Sequence, residues 1–225
     1  MIGTLCLSSS MVNAALIGIQ DHGTYLTDTN SGLDWLDVTA SLNMSYNDVS
    51  NQLSTGGIFE GWRYAAAAEF GGMASSALGV NTGITSTLQS YIVSEQNTAL
   101  RELIALLGDT YYQYSQSRFG GSYCQAYPSD CPNGDLQFTY GLLSDPDPRP
   151  GRSSYISGGL ISDDDRHLSS LDEIITHGGM PANYAVGEFV GSYLVRSTVT
   201  VPEPSALALL GIGLLALGFA RKRKA

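Results

Sequence analysis

The sequence predicts an α+β domain that begins with a hairpin, has two or three helices and a mostly antiparallel sheet, and is followed by a C-terminal transmembrane helix. Three observations predict this architecture: β-prone runs near both ends of the central region, helical periodicities between them, and an uncharged run near the C-terminus. The chain has 225 residues, 43% hydrophobic and 14% charged, which favours one folded domain over a disordered chain.

Residues 1–14 are predicted to be a secretory signal peptide, and residues 15–198 to form the secreted body. The signal contains a weakly apolar run and ends in Val12-Asn13-Ala14, small residues at a spacing that a signal peptidase accepts. It has no basic residue at its start, so the signal is either truncated or atypical. A frayed N-terminal strand is the alternative.

The body is predicted to begin with a β-hairpin. In "TYLTDTNSGLDWLDV" two short β-prone runs flank residues 28–32, whose Asp, Thr, Asn, Ser and Gly tolerate turn geometries. Leu33 and Trp35 are two residues apart, so their side chains are expected on one face of the second strand.

Two helices are predicted after the hairpin. Ser45 and Asp48 form a capping-box-like pair at the start of the first, which Gly56-Gly57 would end. The second is a short helix in "GGIFEGWRYAAAAEF", because its alanines and glutamate favour helix. Residues 71–93 are small, polar and contain glycine, so they are predicted to form a loop.

A third helix is predicted over "EQNTALRELIALL", with Ser94 as its N-cap and Gly108 as its stop. Its apolar residues recur at helical spacing. They are Leu100, Leu103, Ile104 and Leu107. From Tyr111 onward, four aromatic and β-branched segments are predicted to be strands, namely "YYQYSQSRF", "LQFTYGLL", "SSYISGGLI" and "EFVGSYLVRSTV".

The charge pattern argues against nucleic acid as a partner. The formal net charge is −10, and four of the eleven basic residues are Arg221, Lys222, Arg223 and Lys224. The rest of the chain therefore has seven arginines against 21 Asp and Glu residues, which leaves no basic patch to neutralise phosphates. Cations or neutral sugars are more suitable ligands for such a body.

Two cysteines of the body, Cys124 and Cys131 in "CQAYPSDC", are predicted to form a local disulfide. Cys6 would leave with the signal peptide, so an even pair remains in an exported protein, where disulfides are favoured. Two free thiols are the alternative. A metal site is less consistent with the sequence, because two cysteines without nearby histidines make an incomplete zinc shell.

The hairpin turn also raises a calcium hypothesis. Asp28, Asn30 and Asp34, with Gly32 between them and Asp37 beyond, could offer oxygen ligands. The stronger interpretation is structural, because hairpin turns use Asp, Asn and Gly for backbone reasons and no bidentate glutamate stands at the twelfth position. We therefore expect no cofactor.

The chain offers little material for catalysis. His22, His167 and His177 are separated in sequence, and there is no Gly-x-Ser-x-Gly elbow, His-Glu-x-x-His motif or phosphate loop. The acidic run "SDDDRH" at 162–167 is interpreted as a solvated loop. We expect a protein without enzymatic activity, and a secreted hydrolase of matrix polysaccharide is the alternative.

Aromatic residues suggest two contact surfaces, each with a structural alternative. Trp62 and Arg63 are interpreted as a buried aromatic residue and its surface-facing neighbour, with a sugar-stacking subsite as the alternative. The tyrosines from Tyr111 to Tyr127 are dense enough for an exposed contact surface, although strand packing explains many of them.

The C-terminal segment, residues 199–225, is predicted to direct the protein to a membrane. Residues 205–220 carry no charge, and as a helix they would span roughly 24 Å, slightly less than the roughly 30 Å hydrocarbon core of a bilayer. The basic end, 221–225, would stay in the cytoplasm and place the acidic body outside. A core helix is less consistent with four consecutive cations, and a permanent anchor is the other alternative.

The order of Pro202-Glu203-Pro204, an apolar helix and a basic end closely resembles the PEP-CTERM sorting signal of Gram-negative bacteria. The resemblance implies processing by exosortase, a membrane-embedded enzyme, after a transient stay in the inner membrane. It also implies a final location at the cell surface or in the extracellular matrix, and a link to exopolysaccharide and biofilm. The two prolines would keep the peptide free of helix where the enzyme reaches it.

The body has a second resemblance. "TDTNSGLDWLDV", "GGIFEGWRYAAAAEF" and the closing "GSYLVRS" are similar to secreted domains of the Lcl C-terminal type, whose fold is similar to C-type lectins. The resemblance covers most of residues 22–198. That family usually reads Trp-Arg-Leu-Pro where this chain has Trp62-Arg63-Tyr64-Ala65, and the family's late cysteine is absent. The resemblance implies a lectin-like body that binds a ligand or glycan, and it supplies no catalytic residues.

Overall fold

The computed structural model describes residues 16–93, 98–119, 121, 123–127, 136–164, 172–184 and 187–198. Its strands are β1 (Ile19–Asp21), β2 (Tyr25–Asp28), β3 (Leu33–Leu36), β4 (Arg63–Tyr64), β5 (Gln89–Ile92), β6 (Leu136–Pro146), β7 (Tyr155–Asp164), β8 (Glu173–Pro181), β9 (Gly191–Ser192) and β10 (Leu194–Ser197). Its helices are a 3-10 helix (Val38–Ser41), α1 (Tyr46–Asn51), α2 (Ala67–Leu78), α3 (Thr98–Leu107), α4 (Thr110–Phe119) and α5 (Tyr123–Ala126). The predicted α+β class is confirmed.

The described strands form two five-stranded sheets. The first sheet has the order β1-β2-β3-β10-β4, and all its neighbours are antiparallel. The second sheet has the order β5-β8-β7-β6-β9 and is antiparallel except where β6 pairs with the short β9. The last strand in sequence, β10, therefore lies inside the first sheet and not at its edge.

The larger hydrophobic cluster joins the two sheets through α2 and α3. From the sheets it contains Leu26, Trp35, Val195, Ile161 and Ile174. Tyr193 is fully buried within it, with its ring 4.9 Å from the ring of Phe70 and 6.3 Å from that of Trp35. The Tyr193 hydroxyl donates to the carbonyl of Thr139, so this buried phenol has a hydrogen-bond partner.

A smaller hydrophobic cluster lies on the opposite face of the first sheet. It contains Val49, Phe59, Tyr64, Tyr140, Leu142, Val190 and Leu194. Leu194 belongs to this cluster and Val195 to the larger one, because successive side chains of a strand point to opposite faces. β10 is therefore buried on both sides.

The predicted N-terminal hairpin is confirmed. β2 and β3 pair antiparallel from Tyr25 opposite Leu36 to Asp28 opposite Leu33, with residues 29–32 as the turn. The capping box of α1 is also present, since Ser45 and Asp48 each accept a hydrogen bond from the backbone N–H of the other. However, α1 ends at Asn51, before the predicted glycine stop.

The prediction of a loop over residues 71–93 is wrong at both ends. α2 continues to Leu78, and β5 occupies the end of the segment. Glycine is required at position 71 of this helix because there is no room for a side chain. An added Cβ would lie 2.6 Å from the Cβ of Ile84. The absence of a side chain lets the loop after α2 pack directly on the helix.

The third predicted helix is confirmed as α3, whose four predicted face residues are all fully buried. The strand predicted over "YYQYSQSRF" is wrong, because these residues form α4. Tyr111 and Ser115 are buried four positions apart, and Asp109 accepts a hydrogen bond from the backbone N–H of Tyr112 at the start of the helix. Tyr112 and Tyr127 are exposed, whereas Tyr111 packs on Phe138.

The predicted strands "LQFTYGLL" and "SSYISGGLI" are observed as β6 and β7, whereas "EFVGSYLVRSTV" contains two short strands, β9 and β10, that belong to different sheets. The sequence did not predict β8. Its sequence, "EIITHGGMP", contains Gly178-Gly179, a pair typical of turns. A Cβ at Gly178 would lie 2.6 Å from a carboxylate oxygen of Asp147, and a Cβ at Gly179 would lie 2.5 Å from the carbonyl oxygen of Ile156. These glycines permit a close approach within a strand instead of making a turn.

We expect Gly71→Ala and Gly72→Ala to change stability in opposite directions, although the two glycines are neighbours in α2. Nothing lies within 4 Å of an added Cβ at Gly72, so helix propensity should raise the free energy of unfolding by about 0.5–1 kcal/mol. At Gly71 the added Cβ meets Ile84, and overpacking should lower it by about 1–3 kcal/mol. Urea denaturation measures both values, and effects of the same sign would contradict the close packing of Ile84.

Candidate functional site

The C-terminal tail leaves the body from the interior of the first sheet. β10 lies between β3 and β4, with Val195 opposite Trp35. The last described residue is Thr198, whose backbone N–H and hydroxyl both donate to the carbonyl of Gly32, at 2.9 and 3.1 Å. The fold therefore holds the chain up to four residues before Pro202.

Arg196 joins β10 to β2, to β3 and to Trp62, which directly precedes β4. Its Nε donates to Oδ2 of Asp34 in β3 at 3.0 Å. Its guanidinium lies 4.9 Å from the ring centroid of Tyr25 and 4.4 Å from that of Trp62. A charge-assisted hydrogen bond and two cation–π contacts therefore converge on one side chain. We define the Arg196 cluster as Gln20, His22, Tyr25, Thr27, Asp34, Trp62, Arg196 and Thr198.

A polar row crosses four strands within this cluster. The register places Gln20 opposite Thr27, Thr27 opposite Asp34, and Asp34 opposite Arg196. The Thr27 hydroxyl donates to Oδ1 of Asp34 at 2.7 Å, which uses its single proton. Nε2 of His22 lies 3.0 Å from the same hydroxyl oxygen and must therefore be the donor.

The chain of hydrogen bonds from His22 through Thr27 to Asp34 does not activate the Thr27 hydroxyl as a nucleophile. In a catalytic triad the histidine accepts the hydroxyl proton, and the carboxylate orients the histidine. Here the hydroxyl proton points to the carboxylate, and the histidine donates to the hydroxyl oxygen. The arrangement suits binding or structural stabilisation rather than acyl transfer.

The Arg196 cluster borders an open depression of about 360 Å³ on the sheet surface. Its lining combines aromatic rings with hydrogen-bonding groups. The ring of His22 stacks on Tyr25 at 4.5 Å, and Arg196 lies over Trp62. Trp62 is half-buried against the smaller hydrophobic cluster, while Arg63 is exposed. A sugar that stacked on the Arg196 side of Trp62 would therefore have to displace Arg196.

The structure does not bring Asp28, Asn30 and Asp34 together as one calcium site. Asp34 shares a sheet face with Thr27, and Asp28 lies on the opposite face. Within the described residues, no group of three or more His, Cys, Asp and Glu is placed to hold a metal ion. The two aspartates have separate structural partners.

Asp28 ties the hairpin turn to α2. Its buried carboxylate accepts hydrogen bonds from the hydroxyls of Ser31 at 2.7 Å and Ser76 at 3.1 Å, and from the backbone N–H of Asn30 at 3.0 Å. The Asn30 side chain also donates to the Ser76 hydroxyl. A shallow groove of about 390 Å³ lies between this turn and α2.

The acidic run "SDDDRH" is not simply a solvated loop. Residues 162–164 belong to β7, and residues 165–167 lie outside the described residues. Asp163 is buried and receives two hydrogen bonds from Arg101, at 2.6 and 3.0 Å. Its charge is therefore paired inside the fold.

Asp172, which the sequence did not single out, is a buried carboxyl beside this ion pair. Its Oδ1 accepts a hydrogen bond from the backbone N–H of Asp164 at 3.3 Å, and its Oδ2 has no partner among the described residues. Burial, and then the charge of Asp163, raise the pKa of Asp172 above its ordinary value. The folded state therefore disfavours the charged form of this side chain.

The described histidines do not form a common site. His22 belongs to the Arg196 cluster, whereas His177 lies on β8 with its ring 5.0 Å from that of Tyr140. His167 lies outside the described residues. His22 lies in the turn between β1 and β2 and His177 in the second sheet, so the two provide no shared acid–base centre.

Several predicted features lie outside the described residues. They are the signal peptide at 1–14, the N-cap Ser94, Cys131 and the side chain of Cys124, the motif Pro202-Glu203-Pro204, the apolar run 205–220, and the basic cluster Arg221, Lys222, Arg223 and Lys224. Across the part of the chain that is described, no helix is both long and apolar enough to cross a membrane.

We expect Arg196→Met to destabilise the body more than Arg63→Met. Arg196 is 35% exposed and pairs with Asp34, which is 9% exposed, so its loss leaves a buried carboxylate unpaired and should cost about 2–3 kcal/mol. Arg63 is 52% exposed and pairs with Glu69 at the surface, so its loss should cost about 0–1 kcal/mol. Urea denaturation compares the two, and equal losses would show that the Arg196 pair is no more valuable than a surface pair.

We expect Asp172→Asn to stabilise the fold at neutral pH and to lose this effect in acid. Because the folded-state pKa is raised, the charged carboxylate is less stable in the folded chain than in the unfolded chain at neutral pH. As the pH falls below the folded-state pKa the penalty decreases, and it disappears below the unfolded-state pKa, where Asp172 is protonated in both states. Urea denaturation at a series of pH values measures the difference, and a difference independent of pH would refute this account.

Comparison with known families shows that the PEP-CTERM protein-sorting motif matches residues 200–224. Comparisons with curated proteins and with solved structures gave no match. The motif supports export of the chain and its recognition by exosortase. The match begins two residues after Thr198, so the sorting signal follows directly on the folded body.

Proposed function

We propose that this chain is an exported, non-enzymatic protein of the cell surface or extracellular matrix of a Gram-negative bacterium, held in the inner membrane until exosortase removes its tail. The observation that carries the proposal is the sorting motif at residues 200–224. β10 ends at Ser197, three positions before the motif begins. The strand pairs described for the first sheet therefore all precede the tail.

The composition of the tail favours a removable signal over a permanent anchor. An anchor requires only the apolar run and the basic end, and the sixteen residues 205–220 are short for a hydrocarbon core of roughly 30 Å. The preceding Pro202-Glu203-Pro204 is not needed for anchoring. Its two prolines have fixed backbone angles, and a processing enzyme requires such an extended, accessible peptide.

For the body, we propose a lectin-like domain that binds a glycan, such as exopolysaccharide of a biofilm, without a cofactor. The segments that carry the lectin resemblance are neighbours, since β2, β3, β10 and β4 all belong to the first sheet and α2 follows β4. The Arg196 cluster lies where they meet. Its open depression, with hydroxyl, carboxylate and guanidinium groups, supports a polar ligand.

Mass spectrometry of the protein from its native host tests the removal of the tail. We expect no peptides from Leu207 to Phe219 in the mature form, and we expect them to reappear when the exosortase gene is deleted. A variant with Pro202→Ala and Pro204→Ala should retain the tail, whereas Thr200→Ala should lose it like the wild type. An intact tail in mature wild-type protein, with the enzyme active, would favour the permanent anchor.

A further inference from the structure

The segments that precede and follow the described body emerge at the same end of the first sheet. On the N-terminal side, the backbone N–H of Ile17 donates to the carbonyl of Ala77, and that of Thr29 donates to the carbonyl of Gly18. On the C-terminal side, Thr198 is bound to Gly32 of the same hairpin turn. We define the exit pole as residues 16–18, 29–32 and 76–79 together with Thr198.

The exit pole has no charged residue, although the body is strongly acidic. Of the 21 Asp and Glu residues, all except Glu203 belong to residues 15–198, where they face only seven arginines. None of these charged residues is among those that define the pole. The adjacent Asp28 is buried, and protein donors surround its carboxylate.

Exposed side chains of the exit pole are apolar or neutral. Ile17 is 60% exposed, and Thr29, Asn30 and Ser31 are also exposed. An exposed isoleucine beside neutral hydroxyl and amide groups suits the interfacial region of a bilayer, where apolar side chains gain from burial. The same surface carries no carboxylate that would have to lose its hydration there.

The length of the connecting chain keeps this pole close to the membrane. Pro202 is four positions after Thr198, and Ser205, where the apolar run begins, is seven positions after it. Fully extended, these segments reach at most about 14 Å and about 25 Å. The body of the unprocessed protein therefore remains close to the bilayer surface, and its orientation decides which charges face the lipids.

Electrostatics favours one orientation. A bilayer that contains anionic lipids has a negative surface potential, which repels carboxylates within a Debye length of about 8–10 Å. With the exit pole against the bilayer, an uncharged surface faces the lipids and Ile17 contacts the interface. A body turned onto another face would bring carboxylates toward the anionic surface.

We propose that, before the tail is removed, the exit pole lies against the anionic bilayer surface and orients the body on the membrane. This inference rests on the membrane-held precursor of the proposed function. The exit pole contacts the lipid headgroup region. The experiment below distinguishes this contact from one made only with exosortase. Pro202 is only four positions after Thr198, so this orientation would keep the Pro-Glu-Pro peptide near a membrane-embedded enzyme.

Hydroxyl-radical footprinting of two exposed isoleucines tests the orientation. The full chain is reconstituted in nanodiscs of phosphatidylcholine and phosphatidylglycerol without exosortase, and oxidation is read by mass spectrometry at Ile17 and at Ile58, which is 71% exposed in the loop after α1. The matched control carries about ten Gly and Ser residues inserted after Thr198, with a mean reach of roughly 18 Å. We expect Ile17 to be oxidised several-fold less in the wild type than in the linker variant, and Ile58 equally in both.

Each outcome separates the inference from the function on which it rests. If the full chain does not remain with the nanodisc, the membrane-held precursor itself fails. If the chain remains bound but Ile17 is oxidised equally in both proteins, the exit pole does not face lipid. If Ile17 is protected only after exosortase is added, the exit pole contacts the enzyme and not the lipids. Protection of Ile58 instead of Ile17 would show that another face contacts the bilayer.

Discussion

The pairing of β10 with β3 and β4 is the constraint on which the rest of the body depends. This short strand, close to the C-terminal end of the body, lies inside the first sheet, with Leu194 in the smaller hydrophobic cluster and Val195 in the larger one. Without it, β3 and β4 would have no common neighbour, and the clusters on the two faces of the sheet would open. The contact is entirely long-range, because β10 pairs with strands that lie more than 120 positions earlier in the chain.

Three buried acidic residues of the body form ion pairs with arginines. Asp34 pairs with Arg196, Asp163 with Arg101, and Asp147 with Arg149, and all three aspartates are buried. The guanidinium of Arg149 lowers the pKa of Asp147 to about 2. These three carboxylates therefore connect parts of the fold through ion pairs.

The described fold and the sorting motif occupy consecutive segments of the chain. The hydrogen bonds of Thr198 close the first sheet, and the sorting motif starts at residue 200. Both hydrophobic clusters and all the ion pairs described above are formed by residues that precede the sorting motif. Because the connection between Thr198 and the apolar run is short, the body of the precursor stays close to the bilayer. The charge of the surface that faces the lipids, at the exit pole, then affects how the body is oriented.

The sequence by itself determined the features that depend on local patterns. Turn residues predicted the hairpin, Ser45 and Asp48 predicted the start of α1, and the apolar face of α3 followed from helical spacing. The sorting motif was also local, and its match confirms that prediction. Such patterns are visible without a fold because the interacting residues are close in sequence.

Only the tertiary structure decided the features that join distant residues. Asp34 and Arg196 are 162 positions apart, so nothing in either strand shows that they form a pair. The same holds for Gly71, whose missing side chain makes room for Ile84, and for α4, where Tyr111 and Ser115 are buried four positions apart although tyrosine favours strands. The calcium hypothesis depended on residues adjacent in sequence, but the pleat places Asp28 and Asp34 on opposite faces of the sheet, because side chains of a strand alternate.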